Sequence, residues 1–362
     1  MKKLVSLLLA VAMMLSVVCF ASAEDAMRVA MITDSGDITD QSFNQTTWEA
    51  CKAWGEANGI EVNYFKPNGD SNAERVAMVE QAIDAGYNVI VMPGFLFGAA
   101  IAELQDSYPE ITFVALDVSE GDLGVALKDN VFSAVYQEEL CGYMAGYAAV
   151  KLGYKKLGFL GGMAVPAVIR YGYGFVQVAD AAAAELGLTD VEVKYAYGNQ
   201  FFGDPDITAK MDTWYQNGTE CVFACGGGIY TSAAEAAAKV GGKVIGVDVD
   251  QAATIDAYGE GMTVTSAMKG LAATVNTLLS EIKAGNFANY GGKVDTLGLV
   301  SAVPTENYVQ LAGSTQFSDS FTQADYEALV AAMFAGEVTV SADISADPAV
   351  TAITLDNQGN IK

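Results

Sequence analysis

Two hydrophobic periods alternate along this chain. Short runs rich in β-branched and aromatic residues recur between longer stretches whose apolar residues return every three or four positions. The short runs predict strands over 27–33, 60–65, 88–92, 111–116, 130–135, 156–160, 191–196, 220–224, 243–247 and 262–266. The longer stretches predict helices. In one of them, over 71–85, Ser71 and Glu74 make a capping box, Val76, Val79 and Ile83 share a face, and Gly86 stops the turn. Strands that alternate with helices assemble as parallel sheets covered by helices, an α/β architecture.

Chemistry gathers where the predicted strands end. Asp34 follows the first, Pro93-Gly94-Phe95 the third, Asp117 the fourth, Gly161-Gly162 the sixth, Cys225 to Gly228 the eighth and Asp248 the ninth. Open parallel sheets bind ligands outside the carboxyl ends of their strands. One Asp or Gly there serves equally well as a helix cap or a turn. Six such ends in one chain predict a cleft.

The first residues break the pattern. Lys2 and Lys3, an apolar run from Leu4 to Val18 and Ala21-Ser22-Ala23 together make a cleavable export signal, with the mature chain starting at Glu24. The run is too short for a bilayer, which takes about 20 residues. Cys19 offers an alternative, lipid-anchored start, but Val18 is larger than the residue such a site prefers, so cleavage after Ala23 is expected and a tether through Cys19 is the alternative. Either way the protein is exported, to a periplasm or a cell surface.

Composition then removes whole classes of function. The remaining chain is longer than one hydrophobic core usually supports, so two domains are expected. A net charge of −25 repels nucleic acid and anionic membranes. The chain has no histidine, which removes His-based triads, His general bases and most zinc sites. Cys221 and Cys225 lie four apart in one predicted strand, about 13 Å from each other and too far for a disulfide. With Cys51 and Cys141 they are expected to be buried thiols. No metal or cofactor is predicted, and catalysis is not expected.

Several of these segments, in one order, resemble a known family. They are Asp34-Ser35-Gly36 followed by Asp40 to Gln45, Pro93-Gly94-Phe95, Ala115-Leu116-Asp117, Glu138-Glu139 before Gly142 to Gly146, and Gly161-Gly162-Met163. Gly203-Asp204-Pro205, Gly226-Gly227-Gly228, Ile245 to Asp248 with Asp250-Gln251, and Thr265-Ser266 with Lys269 complete the set. The chain is similar over its whole mature length to the basic membrane protein family of ABC-importer substrate-binding proteins, which includes purine nucleoside receptors. Tyr171 stands where that family usually has phenylalanine, and Ala164 where an acidic residue is common.

The resemblance implies a type I periplasmic-binding fold, two Rossmann-like lobes joined by a hinge that close on a ligand. By analogy one lobe takes residues 24–131 and 261–291, the other takes 132–260 and 292–315, and 316–362 packs on the lobes, with a helix near Gln323 to Phe334. The implied partners are a nucleoside and a membrane permease, and a monomer is expected. Asp248 and Lys269 would hold the ribose hydroxyls, while Asn44 and Asp117 would read the base edge. Asp34, Gly94 and the glycines from Gly226 to Gly228 would complete the wall.

Residue chemistry agrees with that reading. A nucleoside presents a flat face, and base–aromatic stacking is worth about 1–3 kcal/mol per base. Phe43 lies in a polar loop, as do Phe201 and Phe202, so a clamp of Phe43 against either Phe201 or Phe202 is expected. Carboxylates accept hydrogen bonds from hydroxyls. A sugar or riboflavin receptor is the nearest alternative. An enzyme is disfavoured, because Gly226 to Thr231 carries only part of a dinucleotide fingerprint and no phosphate loop occurs. A transcriptional regulator would need a basic DNA-binding segment where this chain has its export signal.

Overall fold

The computed structural model describes residues 26–362; the export segment and Cys19 lie outside them. Strands form at β1 Val29–Ile32, β2 Val62–Phe65, β3 Val89–Pro93, β4 Thr112–Leu116, β5 Val131–Tyr136, β6 Lys156–Gly161, β7 Glu192–Tyr197, β8 Cys221–Cys225, β9 Lys243–Asp248 and β10 Thr263–Lys269. These are the ten expected strands, with ends that differ by a residue or a few. Three more are present: β11 Lys293–Leu297, β12 Val309–Leu311 and β13 Thr354–Asn360. All three sit at sheet edges. No residue of β11 or β13 is buried and most are polar, and β12 is only three residues long, so none carries the continuous apolar run of a central strand.

Two sheets result. The first has the order β11-β5-β4-β3-β1-β2 and the second β12-β10-β9-β8-β6-β7-β13. All pairings are parallel except β12 with β10. Leaving aside the added edges, β1 to β5 and β6 to β10 follow the same doubly wound order, so the ends of β4 and β9 occupy equivalent places, as do those of β3 and β8. This is the expected α/β arrangement of two Rossmann-like lobes with parallel sheets, the type I periplasmic-binding fold.

The chain changes sheet three times. It leaves the first sheet after β5 into helix Glu138–Lys151, which packs on β10 and β12 of the second. It leaves the second after β10 into helix Leu271–Lys283, which packs on helix Phe43–Asn58 beside the first. It leaves the first again after β11, into β12. Residues 132–136 and 293–297, grouped above with the second lobe, therefore pair within the first sheet, and 263–269, grouped with the first, pair within the second. Each crossing strand is hydrogen-bonded to the sheet it is leaving, so the crossing point is its carboxyl end. One apolar cluster runs through these crossings, from Met31 and Val91 in the first sheet to Phe159, Phe223 and Ile245 in the second.

The segment 316–362 is bonded to the second lobe instead of lying across both. Its helix Gln323–Phe334 starts with a capping box of Thr322 and Asp325, and Tyr326 Oη accepts from Leu311 N in β12 at 2.8 Å. Further on, the Asp180 carboxylate on helix Pro166–Leu186 accepts from the backbone N–H groups of Thr351, Ala352 and Ile353, and β13 adds to the free edge of β7. Helix Asn72–Asp84 keeps half of its expected box: Glu74 N donates to Ser71 Oγ, but the Ser71 hydroxyl, not its backbone N–H, meets the Glu74 carboxylate.

Candidate functional site

The carboxyl ends of the two sheets face a common cavity with about 600 Å³ of empty space, mouth included, inside the range of small-molecule sites. Nine expected residues line it: Asp34, Phe43, Asn44, Gly94, Asp117, Phe201, Gly226, Asp248 and Lys269. Two expected residues do not. Phe202 is 58% exposed, and Gly228 is bridged to Phe202 on the outer side of the loop. The reason is alternation: in an extended segment successive side chains point to opposite sides, so Phe201 faces in and Phe202 out.

Phe201 has a bed of glycines. A Cβ on Gly162 would lie 2.4 Å from the Phe201 ring, and one on Gly226 would lie 3.0 Å from it. Gly94 does the same for Asp34: its φ of 128° favours glycine, and a Cβ there would fall 2.6 Å from Asp34 Oδ2.

The first lobe supplies acceptors. After β1, Asp34 Oδ1 accepts from Gly36 N at 2.7 Å and from Asn44 Nδ2 at 3.0 Å, and Asp40 Oδ2 accepts from the same Nδ2 at 3.2 Å. The amide nitrogen of Asn44 is thus held between two carboxylates, which leaves its Oδ1 pointing elsewhere. That oxygen is buried and has no partner in the protein, and neither has Asp117 Oδ1. Burial, reinforced by Asp40, pushes the Asp34 carboxyl up to about 6 despite these bonds.

Asp40 also caps helix Phe43–Asn58, accepting from the N–H groups of Ser42, Asn44 and Gln45. Ser42 sits at the cap position but makes no cap bond. Its hydroxyl donates instead to Asp248 Oδ2 at 2.5 Å, across to the second lobe. Nearby, Gln251 Nε2 donates to the backbone oxygen of Gln41 at 2.9 Å, a second bond between the lobes.

A single cation completes the wall. Lys269, at the end of β10, is 5% exposed, 2.7 Å from Asp117 Oδ2 and 2.9 Å from Glu138 Oε1. Glu138 is in turn 2.6 Å from Arg170 Nε. Burial works against the Lys269 charge, but Asp117, Glu138 and Asp248 more than offset it and hold the ammonium well above its ordinary value. Its Nζ lies 5.2 Å from the centre of the Phe43 ring and 5.0 Å from that of Tyr136. Asp117 and Asp248, at the equivalent ends of β4 and β9, have φ of 62° and 65°. Left-handed backbone at a non-glycine residue costs on the order of 1 kcal/mol or more, and such strain collects where a side chain must be aimed.

The opposite wall, from the second lobe, is mostly apolar: Val165, Ala167, Val168, Tyr171, Phe201, Cys225 and Val247. The four described cysteines are free and buried, as expected. Sequence reasoning did not assign roles to Asp40, Phe95, Tyr171, Val165 or Val168, nor to Ser42 and Glu138 behind them. Asp40 and Ser42 were within the quoted motif, but nothing in their spacing reveals that Asp40 caps the helix while Ser42 bonds to the other lobe.

Residues 27–325 match the family described as Bmp, ABC transporter substrate-binding protein PnrA-like. This chain belongs to that family. The Bmp protein described here is 28% identical over 291 residues, 75% of this chain and 79% of the other, to the ABC transporter nucleoside-binding protein BmpA of Lactococcus lactis. It is 25% identical over 288 residues, 78% of this chain and 81% of the other, to basic membrane protein B of Borreliella afzelii. Among solved structures, an ABC transporter solute-binding protein of Aeropyrum pernix aligns with a TM-score of 0.68 at 22% identity, over 86% of this chain and 87% of that one. Membership makes this Bmp protein a substrate-binding receptor of an ABC transporter. Among its described residues no helix is long and apolar enough to cross a membrane.

Proposed function

We propose that the receptor captures a nucleoside, purine nucleosides foremost, between its two lobes and delivers it to a membrane permease without transforming it. One observation carries the reading: Asn44 and Asp117, each with a buried acceptor Oδ1 that has no partner in the protein, line the same cavity as an apolar wall that includes Phe201. A flat ring bearing hydrogen-bond donors fits both halves, since its face suits the aromatic wall and its edge satisfies the acceptors. Phe43 and Phe201 take the two sides of the base. Asp248, Asp117 and Lys269 take the ribose hydroxyls and neighbouring edge, with Asp34 aligning Asn44. The named activity of the lactococcal relative supports the same choice.

The chain is exported, released after Ala23 or tethered through Cys19, and works as a monomer. Mass spectrometry of the mature N-terminus distinguishes release from tethering. For the ligand, thermal unfolding of the purified protein in the presence of adenosine, guanosine, inosine, uridine, riboflavin and ribose is the test. A rise in Tm with one or more nucleosides, larger than with ribose, is expected. No rise with any nucleoside would sink the ligand assignment.

A further inference from the structure

Lys269 is held from behind as well as from the cavity. Glu138 opens helix Glu138–Lys151, is fully buried, and sets its two carboxylate oxygens against Lys269 Nζ at 2.9 Å and Arg170 Nε at 2.6 Å. Arg170 comes from helix Pro166–Leu186 of the second lobe. Asp117, on the other side of Lys269, ends β4 of the first. The four side chains form one line of alternating charge, Arg170, Glu138, Lys269 and Asp117, running from the outer helix of one lobe to the cavity wall of the other.

From this line we infer that Glu138 is a positioning residue for ligand capture: it draws the Lys269 ammonium back to the cavity wall and so keeps Asp117 Oδ1 free to accept from the ligand. Glu138 is not among the residues that line the cavity and lies behind Lys269. A lysine released from it would turn fully onto Asp117 and consume the acceptor the ligand needs. The inference rests on the nucleoside reading only for its affinity arm.

The charges around the line give it a signature that loss of packing lacks. Around Asp117 and Lys269 are Glu138 and the Cys141 thiol from helix Glu138–Lys151, Arg170 and the Tyr171 phenol from helix Pro166–Leu186, Asp248 from β9 and the Tyr136 phenol from β5, while Glu139 lies against Glu138 and Arg170. Burial holds the Asp117 carboxyl above its ordinary value, Lys269 and Arg170 pull it down, and Glu138 pushes it up. Removing Glu138 must therefore lower the Asp117 titration, and removing Arg170 must raise it.

The experiment compares the parent, Glu138→Gln and Arg170→Gln. It follows the Asp117 carboxyl by carbon NMR against pH in the ligand-free proteins, and measures the Kd for inosine at neutral pH. The expected result is a lower Asp117 midpoint in E138Q, a higher one in R170Q, and an inosine affinity roughly tenfold weaker in E138Q, the order of one charge-assisted hydrogen bond. Midpoints that move together, or do not move, overturn the positioning role, as does an E138Q protein that binds inosine like the parent. If E138Q does not fold, the direction of the R170Q shift still decides. If the parent binds no inosine, opposite shifts uphold the charge line while the nucleoside assignment falls.

Discussion

The two lobes repeat one strand order but weight the chemistry of the cavity between them differently. The first offers Asp34, Asp40, Asn44 and Asp117 beside Phe43 and Phe95, whereas the second offers Val165, Val168, Tyr171, Phe201 and Val247 beside Asp248 and Lys269. The equivalent aspartates make the contrast sharper. Asp117 pairs with Lys269 through one oxygen and leaves the other without a partner in the protein, while one oxygen of Asp248 accepts from Ser42 of the facing lobe. Both lobes contribute polar and apolar groups, with carboxylates concentrated in the first and aliphatic side chains in the second. The bonds from Ser42 to Asp248 and from Gln251 to Gln41 join the two lobes across more than 200 positions of sequence.

Four substitutions and one change of conditions test this division, in falling order of effect. Asp117→Ala removes the free acceptor and one partner of a buried cation, so nucleoside affinity should fall by about 3 kcal/mol, read by calorimetry; a loss as small as that of an exposed residue would erase the contrast between the two aspartates. Phe201→Ala removes an aromatic face of the cavity and should cost about 2 kcal/mol of affinity. Ser42→Ala should cost about 1.5 kcal/mol of affinity, the scale of a hydrogen bond to a charged group, and scattering should show a less compact liganded state.

Acidification acts on the buried carboxyls of the cavity, Asp34 and Asp117 from the first lobe and Asp248 from the second, each held above its ordinary value by burial. The Asp34 carboxyl titrates at about 6 in the ligand-free protein, above its ordinary value because it is buried. A ligand aligned through its ionised form loses that support as pH falls through this region, so affinity should drop about tenfold between pH 7 and pH 5. Without ligand the sign reverses: a carboxyl raised on folding favours the folded state when protonated, and that stability is lost as pH rises from the ordinary carboxylate range through about 6. A binding profile flat with pH would separate Asp34 from the ligand. The smallest effect belongs to Phe202→Ala, which should change affinity by less than about 0.5 kcal/mol because its side chain faces solvent.

Much of this was legible in the sequence, and for physical reasons. Central strands such as Val89–Pro93 and Cys221–Cys225 are buried on both faces and read as continuous apolar runs. Their ends marked Asp34, Gly94, Asp117, Gly226 and Asp248 for the cleft without any contact being known. The edges were silent: Thr354–Asn360 pairs with β7 through its backbone, so its polar side chains carry no signal. The choice between Phe201 and Phe202 depended on the phase of one extended segment, which spacing alone leaves open. Glu138 was visible only as part of a motif, because a buried ion pair across 131 positions of sequence has no local pattern; neither had the hydroxyl of Ser42, which at a helix cap position is expected to bond its own helix.

The division of the site is tested most directly by calorimetric titration of the protein with inosine, hypoxanthine and ribose under one set of conditions. If Phe43 and Phe201 cover the base while the carboxylates and Lys269 hold the sugar and the base edge, inosine binds with one site per chain and at least about a hundredfold more tightly than either fragment, since each fragment leaves part of the cavity unmatched. Ribose binding as tightly as inosine, or no heat with inosine or any other nucleoside, would contradict it.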